Sequence, residues 1–109
     1  MWERSHRLTL RIYEITAAFP KEELYGLTSQ IRRSCAAIAA NIAEGCGKDG
    51  DAEFARYLQI ARGSASELEY HLLLEHDLNF LGSNDYEDLH NETNGVKQML
   101  TSFIKKLKA

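Results

Sequence analysis

Residues 54–72 read FARYLQIARGSASELEYHL, and the spacing of apolar residues in this stretch decides the fold. The apolar and small residues recur at alternating steps of four and three, at Phe54, Leu58, Ala61, Ala65, Leu68 and Leu72. This 3.5-residue period is typical of a helix that packs along its length against other helices. A second apolar set runs beside this seam and consists of Tyr57, Ile60, Leu74 and Leu78. A helix with two apolar stripes is either central to its bundle or also contacts a partner.

Three further segments show helical spacing. The first ends before Pro20, because proline disfavours helical geometry at the preceding residue. The second ends in the glycine-rich residues 45–50, and the fourth follows Gly82. The repeating positions are Leu8, Ile12, Ile15 and Phe19, then Leu27, Ile31, Cys35, Ile38 and Ile42, then Tyr86, Leu89, Thr93, Val96, Leu100, Phe103 and Leu107. Gly95 lies within the fourth repeat and is expected to loosen that helix.

The four segments predict an all-α fold, an antiparallel up-down-up-down four-helix bundle formed by residues 1–109 as a single domain. The chain has one proline and seven glycines, too few for a sandwich or barrel of short strands. No apolar run approaches the ~18 residues of a membrane span, and no signal-like segment follows Met1. We therefore expect a cytoplasmic protein that makes no contact with a membrane.

Cys35 and Cys46 both lie in the second segment. They are roughly 16 Å apart along a helix, which is too far for an internal disulfide. We expect both to be buried, unreactive thiols in a reducing compartment.

Catalytic and metal-binding patterns are weak in this sequence. Glu3 with His6 and Glu87 with His90 have the Glu-x-x-His spacing of di-iron bundles, which place two such pairs face to face. Both pairs begin helices that run antiparallel in the predicted topology, so we interpret them as surface pairs. No nucleophile and base stand in a local catalytic motif. We predict no enzymatic activity, no bound metal and no cofactor.

The charge of the chain is unevenly distributed. The net charge of −3 argues against strong, unaided nucleic-acid binding by a monomer. Residues 63–94, the acidic segment, contain eight acidic residues and no Lys or Arg, whereas residues 95–109 add four lysines. This pattern indicates a polarised surface.

Five arginines are candidates for contact with nucleic acid. Arg4, Arg7 and Arg11 recur at steps of three and four and therefore share one face of the first helix. Arg32 and Arg33 add positive charge to the second helix. Arginines in a stripe contact phosphates. Few aromatic residues that could stack on bases are interleaved with them, so sequence-specific reading of single strands is not expected.

Four polar residues form a second candidate site where the second and third helices meet. Asn41 and Glu44 are one turn apart beside apolar residues, and Arg56 and Arg62 follow on the next helix. A partly buried Glu44 requires a cationic partner, for which an arginine of the third helix is the natural choice. We interpret the group as an ion pair inside the bundle that fixes helix register. The alternative is a site for a partner or a phosphate.

Four blocks of the sequence carry a resemblance to a known family. They are residues 19–33, 40–45, 53–58 and 63–69, which read FPKEELYGLTSQIRR, ANIAEG, EFARYL and GSASELE. In order and spacing they resemble the four-helix-bundle family named for 23S rRNA intervening sequences. The resemblance implies a small bacterial bundle that assembles into a ring-shaped homopentamer and has no established enzymatic activity. A related member, the accessory variability protein of diversity-generating retroelements, binds nucleic acid and a reverse transcriptase.

Two functional hypotheses follow from these observations. In the first, the protein is a non-catalytic homo-oligomer that binds RNA or DNA through an arginine face made continuous by assembly. The arginines and the second apolar stripe of the third helix motivate it. In the second, the protein is an adaptor whose acidic segment binds a basic protein partner, such as a reverse transcriptase.

Overall fold

The computed structural model of the protein describes residues Met1–Ala109 and contains four α-helices and no strand. The helices are α1 (Trp2–Thr16), α2 (Leu27–Cys46), α3 (Asp51–Asp77) and α4 (Ser83–Lys108), with a short 3-10 helix at Lys21–Glu23. The predicted all-α class and the four helical segments are confirmed. The molecule measures 44 × 23 × 19 Å. None of its helices combines the length and apolar character needed to cross a membrane.

Side-chain contacts between helices show that neighbouring helices are antiparallel. The contacting pairs are Thr9 with Cys35 and Thr16 with Arg32 for α1 and α2, Glu69 with Lys97 and Arg62 with Thr101 for α3 and α4, and Arg4 with Glu92 and Arg11 with Asp88 for α1 and α4. As one residue number rises, the other falls, which is the relation between antiparallel helices. Each helix also contacts the next one along the chain. These contacts support the up-down-up-down order.

The predicted seam of α3 lies at the centre of the core. Seventeen buried residues from the four helices and their connections form one hydrophobic cluster. The cluster includes five positions of the seam, namely Leu58, Ala61, Ala65, Leu68 and Leu72. The interfaces of α3 with α2 and with α4 are the most extensive between any two elements. The central position of α3 therefore accounts for the first apolar stripe.

The end of α4 departs from the predicted seam. Ile104 is buried there, whereas the neighbouring Phe103 is exposed on one side and packs against the ring of Phe54 at 5.6 Å between centroids. An α-helix has 3.6 residues per turn, so a strict 3.5-residue repeat drifts around a straight helix. This drift carries Phe103 to the edge of the core and brings Ile104 into it.

The two cysteines differ in environment. Cys35 is fully buried, and burial raises the pKa of its thiol to about 11, so Cys35 is the unreactive core thiol that we predicted. Cys46 is exposed, which corrects the second half of that prediction. The cause is that Gly45, rather than Cys46, faces α3 at this end of α2. A Cβ atom on Gly45 would lie 2.8 Å from the Cβ of Tyr57, so glycine permits this close helix approach.

One carboxyl group lies inside the core. Glu75 on α3 is completely buried, and neither of its side-chain oxygens has a hydrogen-bond partner. Burial, with a smaller contribution from the charge of Glu23, raises the pKa of Glu75 to about 8. A carboxyl with this pKa is protonated at neutral pH. Glu75 therefore adds no charge to the acidic segment in which the sequence places it.

The pKa of Glu75 predicts a pH dependence of stability. An unfolded glutamate releases its proton near pH ~4.3, whereas folded Glu75 keeps it until about pH 8. The stabilising effect of the protonated form is complete below the unfolded pKa and is lost as the pH rises through the folded pKa. We expect Glu75→Gln to raise the free energy of unfolding at high pH by a few kcal/mol and to have little effect in acid. Urea unfolding of both proteins at about pH 5 and about pH 9 measures the difference. Equal effects at both pH values would contradict this account.

Candidate nucleic-acid interface

The five arginines that the sequence singles out lie on two separate surfaces. Arg4, Arg7 and Arg11 lie on the side of α1 that faces α4, where acidic residues of α4 face them. Arg32 and Arg33 lie on α2, beside the chain reversal between α1 and α2. Each surface has its own electrostatic environment.

Two of the three arginines on this face of α1 are paired with carboxylates of α4. Nε of Arg4 donates a hydrogen bond of 2.6 Å to Oε1 of Glu92, and Nη2 of Arg11 donates one of 3.1 Å to Oδ2 of Asp88. The hydrogen bond from Arg4 lowers the pKa of Glu92, and the charges of Arg7 and Arg11 add to this effect. Arg4 and Arg11 are therefore neutralised within the chain, whereas Arg7 is exposed without a hydrogen bond or ion pair and shares a depression with Glu14 and Asp85.

Gly95 provides the space in which Arg4 reaches its partner. The guanidinium of Arg4 lies against the backbone of α4 at Gly95, and an added Cβ atom would lie 2.8 Å from its Cζ. The sequence predicts that Gly95 loosens the helix, and yet α4 continues without interruption through this position. Glycine at this position lets the guanidinium of Arg4 lie directly against α4.

The arginines of α2 lie in a shallow groove without a carboxylate. We name it the Tyr25 groove; it is lined by Tyr13, Leu24, Tyr25, Ser29, Arg32 and Arg33. Nε of Arg32 donates a 2.9 Å hydrogen bond to Oγ1 of Thr16, and its guanidinium carbon lies 4.6 Å from the centroid of the Tyr13 ring. Arg33 is exposed and forms no hydrogen bond or ion pair within the chain. The groove therefore offers one oriented and one unpaired cation.

The aromatic residues of this groove were not predicted from the sequence. We expected few aromatic side chains near the arginines, but Tyr13 and Tyr25 flank them. The 3-10 helix Lys21–Glu23 reverses the chain and brings α1 beside the start of α2. The available signal was the block FPKEELYGLTSQIRR, which carries Tyr25, Arg32 and Arg33 together.

The predicted ion pair between α2 and α3 is not formed. Glu44 is exposed, so its carboxylate is solvated and requires no cationic partner. The other three residues form local or inter-helix hydrogen bonds. Their partners are Glu53 for Arg56, Oγ1 of Thr101 for Arg62, and the carbonyl oxygen of Ala37 for Asn41. These residues do not converge on one site.

The acidic segment is also less acidic at the surface than its composition suggests. Asp88 and Glu92 pair with arginines of α1, and Glu69 accepts a 3.3 Å hydrogen bond from Nζ of Lys97. Four of its carboxylates remain exposed without a Lys or Arg partner, namely Glu67, Asp77, Asp85 and Glu87. Three of these four flank the turn between α3 and α4.

The two Glu-x-x-His pairs lie in different surroundings. His6 stacks on Trp2 of its own helix, with 4.9 Å between ring centroids. His90 stacks on Tyr86 at 5.6 Å and contacts the amide of Asn94. No group of three or more His, Cys, Asp or Glu side chains is placed to hold a metal ion.

Comparison with known proteins identifies the family. The family model described as 23S rRNA-intervening sequence protein matches residues 1–102. The chain belongs to this family. The resemblance that the four sequence blocks carry is thereby confirmed, and it covers the helices that bear both arginine surfaces.

A solved structure agrees with this assignment. It is a protein with unknown function from the S23 ribosomal protein family of Bacteroides thetaiotaomicron VPI-5482, 28% identical in sequence, with a TM-score of 0.87. The match covers 95% of this chain and 94% of that one. Among curated proteins, none matches this 23S rRNA-intervening sequence family member.

The contact between Arg4 and Gly95 predicts an unusual effect of alanine. Alanine favours a helix over glycine by about 1 kcal/mol, but at Gly95 its methyl group would displace Arg4 from Glu92. We expect Gly95→Ala to raise the melting temperature less than Gly63→Ala does, because the gain in helix propensity is offset by the lost ion pair. Gly63→Ala is the matched control, because no atom lies within 4 Å of a Cβ at this exposed position of α3. Thermal unfolding followed by circular dichroism measures both, and a Gly95→Ala protein at least as stable as Gly63→Ala would contradict the contact.

Proposed function

We infer that this protein is a non-catalytic, homo-oligomeric helical bundle that binds the backbone of RNA or DNA. It acts in the cytoplasm as a scaffold and uses no cofactor. The observation that carries the proposal is the exposed, unpaired Arg33 beside Arg32 in a groove that no carboxylate lines. The family is named for sequences that interrupt 23S rRNA, and a role in nucleic-acid binding agrees with that name.

Electrostatics favour α2 over α1 as the contact surface. A phosphate that approaches Arg11 meets the carboxylate of Asp88, which is 3.1 Å from the guanidinium. A phosphate that approaches Arg33 displaces no partner and meets a second arginine one residue away. Arginine donates paired hydrogen bonds to phosphate oxygens. We therefore assign the primary contact to Arg32 and Arg33, and only a secondary one to Arg4, Arg7 and Arg11.

Assembly strengthens this weak site. Several large apolar side chains of the single chain are exposed, among them Leu10, Ile60, Tyr70 and Leu73. A second copy that covers part of this surface removes apolar area from water. Repetition of the Tyr25 groove around a ring, a homopentamer in this proposal, joins several weak contacts on one nucleic-acid strand and raises the overall affinity. Repetition of the arginines thus offsets the net charge of −3 per chain locally, at the grooves.

A protein adaptor is the second candidate function. The exposed carboxylates of Asp77, Asp85 and Glu87, near the turn between α3 and α4, favour a basic protein partner such as a reverse transcriptase. This surface is smaller than the whole acidic segment, because several of its carboxylates are paired or buried. The two functions use different surfaces and therefore respond to different substitutions.

Size-exclusion chromatography with light scattering, with and without a short RNA, tests the proposed function. We expect an oligomer that co-elutes with RNA at low salt and releases it as salt rises. An oligomer that does not bind RNA at any salt concentration would support the second candidate function, the protein adaptor. A monomer would contradict the assembly that both functions include.

The division between paired and unpaired arginines predicts a difference in salt dependence. We expect Arg33→Ala to weaken RNA binding and to reduce the slope of log affinity against log salt by about 0.7 for each phosphate that the variant no longer neutralises. Arg11→Ala is the matched control, since Asp88 already neutralises that arginine, and its slope should change little. Fluorescence anisotropy over a series of salt concentrations measures both slopes. A larger change in slope for Arg11→Ala than for Arg33→Ala would indicate that RNA binds to α1 rather than α2.

A further inference from the structure

Tyr25 is exposed to a degree that packing within the chain does not explain. Its side chain is 93% exposed, more than any other large apolar or aromatic residue. It lies in the turn that directly precedes Gly26, the N-cap residue of α2. Both faces of its aromatic ring are thus presented to solvent beside the start of α2.

The surroundings of Tyr25 combine a free ring with positive charge. The ring of Tyr13 is covered on one face by Arg32, which Thr16 holds in place through a 2.9 Å hydrogen bond. Ser29 lies one helical turn before Arg33 and adds a hydroxyl to the groove. Tyr25 therefore offers stacking, while Arg33 and Ser29 offer hydrogen bonds to an anion.

We propose that the Tyr25 groove binds an unpaired nucleotide of a single-stranded RNA, with its base stacked on Tyr25 and its phosphate held by Arg33. This inference rests on the proposed nucleic-acid binding and names the substrate class for that site. Aromatic rings beside cationic side chains are how proteins hold single strands without regard to sequence. In a duplex the bases are already stacked on one another, so a duplex reaches Arg33 with its phosphates but leaves Tyr25 unoccupied.

The charge of the groove favours a nucleotide over an apolar or basic segment of protein. Its lining contains two arginines and no carboxylate. Glu67 of α3 shares a neighbouring depression with Arg33, but it contacts Nε2 of His71 at 3.3 Å rather than Arg33. The cation of Arg33 thus remains available for a phosphate.

Binding of two RNA probes to three variants tests the proposal. The probes are a fluorescent single strand of about 12 nucleotides and a duplex of the same length, at low salt. We expect Tyr25→Ala to weaken binding of the single strand about tenfold and to leave duplex binding unchanged. Tyr25→Phe keeps the ring and should bind as the wild type does. Trp2→Ala is the matched control, since Trp2 is 43% exposed on α1, stacks on His6 and lies outside the groove.

The outcomes separate this inference from the proposed function. If the wild type binds neither probe, the proposed nucleic-acid binding fails. If it binds both probes and Tyr25→Ala changes neither affinity, or lowers both equally, only the stacking site is overturned. Light scattering of Tyr25→Ala supplies a further check, because a fall in molecular mass would place Tyr25 in an interface between subunits and overturn the proposal.

Discussion

The packing of α3 against both α2 and α4 is the interaction on which the rest of the structure depends. Its seam has alanines at Ala61 and Ala65, and α2 contributes Gly45, so the helices approach closely. This interface sets the rotation of α2 about its own axis. With Ile31 and Cys35 turned into the core, Arg32 lies at the edge toward α1 and Arg33 lies in solvent. The position of the candidate site thus follows from core packing.

The docking of α1 divides the arginines into two groups. Leu8 and Ile12 enter the core, and this orientation turns the arginines of α1 toward the acidic start of α4. The charges of Arg4 and Arg11 are used in contacts between helices, at Glu92 and Asp88 of α4. The arginines of α2 have no such acidic partners. The charge of Arg33, beside the chain reversal that carries Tyr25, is therefore available to a ligand.

The sequence predicts the helices and most of the core because burial repeats with the period of a helix. It also carries the family resemblance, in blocks that are recognisable by their order and spacing alone. The sequence does not predict the features that depend on how one helix is rotated against another. Glu44 and Cys46 were expected to be partly or fully buried and are exposed, whereas Glu75 was counted with the surface acids and is buried.

The candidate site was predictable only in part, for the same reason. The arginines could be named from the sequence, but their partners lie on other helices, far away along the chain. From the sequence, Gly95 is predicted only to weaken α4, because its contact with Arg4 is visible only in the structure. Likewise, Tyr13 and Tyr25 join Arg32 and Arg33 only after the 3-10 helix has reversed the chain.

The central claim is that nucleic acid contacts the Tyr25 groove on α2 rather than the arginine face of α1. Photo-crosslinking of a 4-thiouridine RNA to the wild-type protein, followed by mass-spectrometric mapping of the modified peptides, tests this claim most directly. The account predicts crosslinks in the peptides that contain Tyr13, Tyr25 and Ser29. Crosslinks confined to the face of Arg4, Arg7 and Arg11, or to α3 and α4, would contradict it.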